Sequence, residues 1–470
     1  MAATITNALK NFILDEIKKT KDSSSNPSKF YAAIGRSQNW DSADTAPDPQ
    51  LSLKQERDFR NNMQAVRLIS DASFVVPRYN WSSGTFYDAY DDTTVGNSSA
   101  YYVVNSNQQV YMVLRKSINN SGVAVASTVE PTGNTTGTPF KTSDGYVWKM
   151  IYSIGSASAN KFQSANFVPV QLINNGNAIP AEDESNFTTQ EIEQSVIQNN
   201  AVDGQIVGYA IDNPGAGYGS APTITITGNG SSASATATIS GGEVVKVIPA
   251  EDGSGNLVQA NFGSGYTYAA VSVSGGSPTT AAVVRPILGK TGGIGANPIE
   301  DLKSNALMFN SKPVGAEGND FGVGIQFRQV GLLKDPDSNG GASPLISTTG
   351  QALRRLKFSA ITNAYEKGKT LLGGTSGAKA IADYDSGSGS STIVYYHQND
   401  STGFTSFSAG ETVTTTEGAA VGNGVLDSAG AFNSSGDIDP YSGELLYIDN
   451  RSAVTRAADQ TEDLKIVIQV

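Results

Sequence analysis

The chain has 470 residues, no cysteine, one histidine and a formal net charge of −12. The lack of cysteine excludes thiolate catalysis, cysteine-bound zinc and a disulfide-rich scaffold, and a single histidine excludes multi-histidine metal sites. The acidic balance disfavours binding to nucleic acid or to an anionic membrane surface. Charged residues make up only 16% of the chain and glycines number 50, a composition typical of short strands joined by tight turns. We therefore expect a mainly β protein of several domains.

Three segments have the pattern of helices. Residues 5–18 place apolar side chains at helical spacing, at Ile5, Ala8, Leu9, Phe12, Ile13 and Ile17. Residues 53–70 follow a candidate N-cap, Ser52, with Gln55 three residues later, and their predicted apolar face is Phe59, Met63, Val66 and Ile69. Residues 186–198 form a third, more polar candidate. Nearly all of the remaining chain is predicted to be β, including residues 101–105, 109–115, 146–154 and 464–470.

The sequence shows no sign of membrane insertion. No run of ~18 apolar residues occurs in the chain. The N-terminal residues carry Asp15 and Glu16 within their apolar pattern, which argues against a signal peptide. We therefore expect neither a membrane span nor a secretion signal.

Two glycine-rich stretches differ in composition from their surroundings. Residues 204–286 contain an imperfect repeat, and each copy has the pattern strand, Gly-Tyr turn, strand. Residues 365–425 contain short β runs separated by glycine and serine, which indicates a small barrel or sandwich. We predict β-sandwich-like layers with a few N-terminal helices and two inserted small β modules that are separable from the rest. The predicted domains are a helical and β region at 1–200, a repeat module at 201–290, a β region at 291–362, a second module at 363–432 and closing strands at 433–470.

Several short motifs match part of a metal or nucleotide site, and each lacks a required residue. Two Gly-Lys-Thr tripeptides, at 289–291 and 368–370, lack the upstream glycine of a phosphate-binding loop. The run from Asp335 to Gly340 matches the first half of a calcium loop, but Ile346 stands where the bidentate glutamate belongs. We predict no resident cofactor or metal, and leave open a structural ion near Asp335.

The candidate catalytic groups are few. His397 stands at the end of a predicted strand, and no Gly-x-Ser-x-Gly nucleophile motif accompanies it. The acidic pairs Asp91/Asp92 and Asp383/Asp385 lie in turn-like sequence, and only their geometry decides whether a sugar fits between two carboxylates. We expect a modest packing or hydrogen-bonding role for His397 and no enzymatic activity.

All three tryptophans, Trp40, Trp81 and Trp148, lie in the first third of the chain. Trp148 follows a predicted turn and shares one face of a predicted strand with Tyr146 and Met150. Large rings with a polar edge serve either a core or an assembly interface, and the sequence leaves both roles open.

Five segments occur in the same order as in a known family: GRSQNW (35–40), VVPRYNW (75–81), DGYVWKMIYSI (144–154), FRQVGLLKDP (327–336) and the tail from 443 to 470. In this ordered set the chain resembles the dimeric wedge subunits in the baseplates of T-even-type contractile-tailed bacteriophages. The resemblance extends over about 1–200, 291–360 and 433–470, and the two glycine-rich stretches depart from it.

The resemblance implies a structural protein without an active site, located in the tail baseplate of a myovirus virion after assembly in the host cytoplasm. It also implies a homodimer that binds other baseplate wedge proteins. Gly35 would supply a turn, and the arginines would either clamp carboxylates and carbonyls or form ordinary intrachain pairs. The candidate structural or interface residues in the matching segments are Gly35, Arg36, Trp40, Pro77, Arg78, Trp81, Gly145, Tyr146, Trp148, Arg328, Asn450, Arg451, Asp459 and Gln460.

Two other classes of protein compete with this interpretation. A receptor- or glycan-binding tail protein with depolymerase activity would have long β-helical repeats and an acidic cleft, whereas two imperfect copies are present here. A surface adhesin built from immunoglobulin-like modules would carry a secretion signal. We favour the structural subunit, with the depolymerase as the main alternative.

Overall fold

The computed structural model describes residues 5–23, 25, 27–93, 100–313, 322–341, 343–416, 421–457 and 462–470, and the backbone alone at residue 391. The chain is mainly β, with 38% strand against 14% helix, which confirms the predicted fold class. It divides into two compact units. Unit 1 comprises Met1–Leu14, Ser73–Leu307 and Gln469–Val470, and unit 2 comprises Asp15–Ala72 and Met308–Ile468.

The helices and strands of the described residues follow in chain order. The helices are α1 (Asn7–Asp22), α2 (Leu53–Asn61), α3 (Ser156–Phe162), α4 (Thr189–Asn199) and α5 (Pro298–Asp301). The strands are β1 (Phe30–Gly35), β2 (Met63–Leu68), β3 (Asp71–Pro77), β4 (Tyr102–Val104), β5 (Gln109–Arg115), β6 (Phe140–Lys141), β7 (Val147–Ser153), β8 (Phe167–Val170), β9 (Ile206–Asn213), β10 (Thr223–Gly228), β11 (Ala235–Ser240), β12 (Glu243–Pro249), β13 (Ala269–Ser274), β14 (Val283–Leu288), β15 (Ala306–Ser311), β16 (Gln326–Lys334), β17 (Thr349–Gln351), β18 (Arg354–Asn363), β19 (Thr370–Gly373), β20 (Lys379–Ala382), β21 (Gly389–His397), β22 (Thr412–Thr415), β23 (Asn423–Leu426), β24 (Asn433–Ser434), β25 (Glu444–Thr455) and β26 (Leu464–Gln469).

Two of the three predicted helices form as expected. Helix α1 begins two residues after the start of the first predicted segment and extends four residues beyond its end, and Leu14 is its one buried residue. The apolar side chains Ile5, Leu9, Phe12 and Ile13 remain between 40% and 60% exposed. Helix α4 begins after Thr188, whose side chain accepts from the amide of Glu191 while Glu191 bonds back to the amide of Thr188. Within the described ranges no helix is both long and apolar enough to cross a membrane.

The predicted helix at 53–70 is wrong in its second half. Ser52 caps α2 by accepting from the amide of Gln55, as expected, but the helix ends at Asn61. Residues Met63–Leu68 form β2 instead, which pairs with β1 on one side and with β17 on the other. The reason lies in the tertiary structure. A strand that is paired on both edges and buried on both faces can have apolar residues at any position, so its spacing can look like that of a helix.

Unit 2 contains a five-stranded sheet in the order β17-β2-β1-β16-β25. Phe59 of α2 packs onto this sheet together with Tyr31, Val66 and Leu333. Gly331 leaves the space for that ring, since a Cβ at this position would lie 2.4 Å from Phe59 Cζ.

Unit 2 also contains a closed barrel. Strands β18, β21, β20, β19, β22 and β23 pair in a complete circuit, and β24 adds to the edge of β18. The first strand begins at Arg354, ahead of the predicted module boundary at 363. Apolar side chains fill the interior: Leu356, Phe358, Ile361, Tyr365, Leu371, Ala378, Ala380, Ala382, Val394, Tyr396, Phe407, Val413 and Leu426.

In unit 1 the antiparallel sheet β4-β5-β7-β6 carries the predicted strands at 101–105, 109–115 and 146–154. Trp148 and Met150 of β7 share a buried cluster with Ile197 of α4. Because side chains alternate along a strand, Lys149 lies on the opposite face of the sheet.

The repeat at 204–286 folds as two copies with a pseudo-two-fold relation. The copies are β9-β10-β11 and β12-β13-β14, so each has a third strand beyond the two that the sequence indicates. The pairings β9–β14 and β12–β11 are equivalent, and β10 pairs with its counterpart β13. The turns match too: the amide of Tyr218 bonds to the carbonyl of Gly242 (2.9 Å), and that of Tyr266 to Gly204 (3.1 Å).

Candidate functional site

Arg328 is the third residue of β16 and is 3% exposed. Its Nε donates to both carboxylate oxygens of Asp44, at 2.7 and 2.9 Å. Its Nη1 donates to the carbonyl of Ser37 at 2.6 Å, and its Nη2 to Oδ1 of Asn39 at 2.7 Å. One buried guanidinium therefore holds the loop that follows β1, and we call this group the Arg328 cluster.

Arg36 and Trp40 belong to the same loop. The Arg36 guanidinium lies 4.1 Å from the centre of the Trp40 ring, a cation–π contact, and donates to the carbonyl of Asn39 at 3.1 Å. The Trp40 indole donates to the carbonyl of Arg451 at 3.0 Å, which connects the loop to β25. The backbone amide of Trp40 donates to Asp44 at 3.0 Å.

The electrostatics of the cluster agree with this geometry. The hydrogen bond from Arg328 lowers the pKa of Asp44, so the carboxylate stays ionised. Burial, and then the positive charge of Arg328, lower the pKa of Arg36. The cluster is thus a charged scaffold within unit 2, in which Nε of Arg36 and the hydroxyl of Ser37 have no hydrogen-bond partner among the described residues.

The tail segment completes the cluster from β25. Gln329 donates to Oδ1 of Asn450 at 2.9 Å, and Asn450 donates to the carbonyl of Pro47 at 3.1 Å. Arg451 forms a longer ion pair of 3.4 Å with Asp449 and keeps 45% of its side chain exposed. Asp459 and Gln460, the other tail candidates, lie outside the described residues.

The expected turn at Gly35 has another origin. Arg36, not Gly35, has the left-handed backbone conformation, with φ of 65°. Gly35 instead lies in β1 against the backbone, where a Cβ would come within 2.6 Å of the Asn62 carbonyl oxygen. The glycine is therefore needed for close approach rather than for a turn.

The remaining candidate residues lie in unit 1, where they bond to or pack against other residues of the same chain. Pro77 accepts from the Tyr102 hydroxyl at 2.7 Å, and Arg78 donates to Asn80 at 2.8 Å and to the carbonyl of Ser164 at 3.2 Å. These arginine contacts are intrachain contacts of the ordinary kind.

Tyr146 and Trp148 are core residues. Their rings stack at 5.5 Å, and Trp148, which is fully buried, donates to Thr142 at 3.1 Å. Gly145 precedes them with φ of 93°, a conformation that favours glycine. Trp81 packs against the same cluster and donates to Ser127 at 3.0 Å. The tryptophans thus face internal partners rather than an exposed interface.

His397 ends β21, as predicted, but it is buried at 4% exposure. Its Nδ1 lies 2.7 Å from Oδ2 of Asp383, which is fully buried. The other Asp383 oxygen accepts from Gln64 at 2.8 Å. His397 therefore has a hydrogen-bonding role, and its partner is a buried carboxylate.

The other motifs are also engaged within the chain. Asp91 and Asp92 bond to Arg285 at 2.6 and 3.1 Å. Burial alone would raise the pKa of Asp91, but the hydrogen bonds from Arg285 and Thr93 outweigh it and lower the pKa to about 2.

The calcium-like loop is held by backbone bonds. Asp335 accepts from the amide of Lys29 at 2.7 Å, and Ile346 is 76% exposed. Across the described ranges no group of three or more His, Asp or Glu side chains is placed to hold a metal ion. Lys290 of the first Gly-Lys-Thr tripeptide forms an ion pair with Glu300.

A cleft of about 770 Å³ lies in unit 1 between the end of β5 and strands β9 and β12. Its Glu251 binds both Arg115, at 2.7 Å, and Lys141, at 3.0 Å. Burial raises the pKa of Glu251, but these two cations lower it further than burial raises it. The charges of this cleft therefore largely neutralise one another.

Sequence reasoning missed Asp44, the acidic centre of the Arg328 cluster. Asp44 and Arg328 are 284 residues apart, so no local pattern joins them. The available signal was the Asp-Ser-Ala-Asp run at 41–44, in which Asp41 accepts from the amide of Ala43 at 2.9 Å and forms a turn.

No known protein family matches this chain, and no curated protein was found to be similar to it. Its function is therefore argued from its own residues.

Proposed function

We propose that this protein is a structural subunit of the baseplate wedge in the tail of a contractile-tailed bacteriophage, and that it acts by binding its neighbours. The observation that carries the proposal is the meeting of three resembling segments around Arg328. These are GRSQNW (35–40), FRQVGLLKDP (327–336) and the tail from 443 to 470. If the chain shares a structural core with the resembling family, the segments that carry the resemblance should contact one another. Here three of them share one buried hydrogen-bonded network.

We propose binding rather than catalysis because the candidate catalytic carboxylates are occupied. Asp91 is bound to Arg285, and Asp383 is bound to His397 and Gln64. A glycosidase needs one carboxylic acid and one carboxylate facing a sugar across a cleft. Carboxylates that already bond to side chains of the same chain do not meet that need.

We further propose a homodimer that contacts other wedge proteins, without nucleic acid and without membrane insertion. The tryptophans give no support to this part, since they face internal partners. Exposed apolar side chains of the α1 segment, Ile5, Leu9, Phe12 and Ile13, do support it. Contact between two copies through the same surface would be isologous, with two-fold symmetry.

Electron microscopy of tails assembled with this chain tests the proposal. In particles whose copy of the chain lacks the barrel, residues 354–434, density should be missing at defined positions in the baseplate. Missing density elsewhere in the particle, or intact baseplates without the chain, would contradict the assignment. Polysaccharide cleavage that disappears on Asp91→Asn would instead favour the depolymerase.

Light scattering at micromolar concentration tests the dimer. We expect a species of twice the 49.0 kDa chain mass. The double substitution Leu9→Gln and Phe12→Gln should shift the protein towards monomer. Leu51→Gln, an exposed leucine outside α1, is the matched control and should leave the dimer intact. A monomer in every sample would contradict the dimer.

A further inference from the structure

Lys149 is a buried lysine without a local partner. It lies in β7 opposite Met112 of β5 and is 2% exposed. Among the described residues its amine has neither a hydrogen bond nor an ion pair, and the charge that acts on it is that of Asp301. Asp301 is itself buried and accepts from the amide of Gly295 at 2.7 Å.

Keeping an unpaired ammonium in this place costs stability. Desolvation lowers the pKa of Lys149 to about 8, against a smaller opposing effect of Asp301. A methionine or leucine would fill the same space without that cost. A buried charge that weakens the fold and lines a recess is a candidate for a binding function.

Lys149 lines a recess of about 380 Å³ in unit 1, which we call the Lys149 cavity. This volume is in the range of small-molecule sites, ~300–1,000 Å³. The other polar side chains of its wall carry only hydroxyl and amide groups: Thr138, Asn200, Gln205, Ser232, Gln259 and Ser264.

Part of this wall is held rigidly. Gln259 donates to the carbonyl of Pro139 at 2.8 Å, and Asn200 to that of Thr136 at 3.1 Å. Ser232 has φ of 68°, an uncommon conformation for a residue other than glycine. The amides of Gln259 and Asn200 are therefore fixed in position before any ligand binds.

We propose that the Lys149 cavity binds a sugar carboxylate, such as a hexuronate or a sialic acid, free or at the end of a glycan. Lys149 would bind the carboxylate, and the amide and hydroxyl side chains would bind the sugar hydroxyls. The choice of a carboxylate over a phosphate follows from the single cation, because phosphate sites usually combine arginines or several donors. This inference is independent of the wedge proposal, since it uses only residues of this cavity.

Calorimetric titration of the full chain tests the inference with sodium D-glucuronate and N-acetylneuraminate. At least one of them should bind. D-glucose and sodium acetate should bind more weakly, because glucose lacks the carboxylate and acetate lacks the sugar hydroxyls. Lys149→Met should weaken binding roughly 10- to 100-fold, the worth of a charge-assisted hydrogen bond. Lys379→Met, an exposed strand lysine, should leave the affinity unchanged.

Two further titrations test the recognition of the sugar hydroxyls and the form of the sugar separately. Ser264→Ala should weaken binding of the sugar acids but not of acetate. Methyl β-D-glucuronide, whose anomeric oxygen is blocked as in a glycan, distinguishes a chain end from a free sugar. The inference is overturned if neither sugar acid binds, if acetate binds as tightly as they do, or if Lys149→Met leaves the affinity unchanged.

Discussion

At the scale of single residues, the buried ionisable groups of this protein are of two kinds. Arg328 and His397 have carboxylate partners within hydrogen-bonding distance, Asp44 and Asp383. Lys149 has none among the described residues. Removing one partner of a buried pair destabilises the folded protein, because the other partner stays buried without its hydrogen bond. Removing a buried charge that has no partner stabilises the folded protein.

His397→Ala is expected to lower the free energy of unfolding by about 2–4 kcal/mol, because it leaves the buried Oδ2 of Asp383 without its partner. Urea denaturation followed by circular dichroism measures this change. Asp400→Ala is the control, since it removes only an exposed ion pair with Lys54. A cost for His397→Ala no larger than for the control would show that Asp383 finds another partner.

Lys149 is expected to make stability depend on pH above neutrality. Its folded pKa of about 8 lies below the usual 10.5, so between these values the unfolded chain binds more protons. The contribution of Lys149 to the free energy of unfolding therefore rises with pH across this window, and below pH 8 the full cost of the buried charge remains. Burial raises the pKa of Asp301 to about 6, so that group titrates below the window.

Lys149→Met should remove this rise and stabilise the protein by about 2–3 kcal/mol at pH 7. Denaturation series at pH 7, 8.5 and 10 on the wild type, Lys149→Met and the exposed control Lys379→Met measure both effects. A pH profile of Lys149→Met that parallels the wild type would mean that other groups cause the dependence.

At the scale of elements, local capping and tertiary pairing decide different segments. Helix α4 has a complete capping box at Thr188 and Glu191, and it forms where the sequence predicts it. The segment after Asn61 has comparable apolar spacing but pairs with strands on both edges, so it becomes β2. The spacing of apolar residues therefore predicts a helix well where a capping residue stands at its start, and less well where the segment pairs with distant strands.

Thr188→Ala is expected to lower the free energy of unfolding by about 1 kcal/mol, because it removes the side-chain acceptor of the α4 cap. Thr189→Ala is the matched control, since the adjacent exposed threonine makes no capping bond. Chemical denaturation of the two variants compares them directly. An equal effect of both substitutions would contradict the capping role.

At the scale of the whole molecule, the barrel at 354–434 has the geometry of an insertion. Gly436 lies against the backbone of Gln351 and Leu353, where a Cβ would be within 3 Å of both carbonyl oxygens. The two ends of the barrel therefore meet, and a short linker can join them. Strand β18 pairs only with barrel strands among the described residues, so it belongs with the excised part.

Replacing residues 354–434 by a short Gly/Ser linker should leave a remainder that unfolds cooperatively. Replacing only 365–425, the stretch that composition indicates, should not, because β18 would lose β21 and nearly all of β23, keep only the two-residue β24, and expose Leu356, Phe358 and Ile361. Thermal unfolding and the oligomeric state of both deletions test this difference. Cooperative unfolding of the shorter deletion alone would contradict the barrel boundary.

The sequence by itself determined the properties that depend on neighbouring residues. The β-rich fold class, the cap of α2, and the strands β5 and β7 follow from composition, turn residues and alternation. The repeat at 204–286 is indicated by the similar runs that begin at Gly204 and Gly242, although each copy has three strands rather than the two that the sequence indicates. These features are local or periodic, so their causes lie within reach of one another in the chain.

Only the tertiary structure decided the features that join distant residues. The pairing of Arg328 with Asp44, the burial of His397 on Asp383, and the isolation of Lys149 all depend on which strands become neighbours. A sequence shows that a residue can carry charge, but the energy of that charge depends on the solvent and partners around it. For this protein those surroundings come from strand pairings across hundreds of residues, which no local pattern contains.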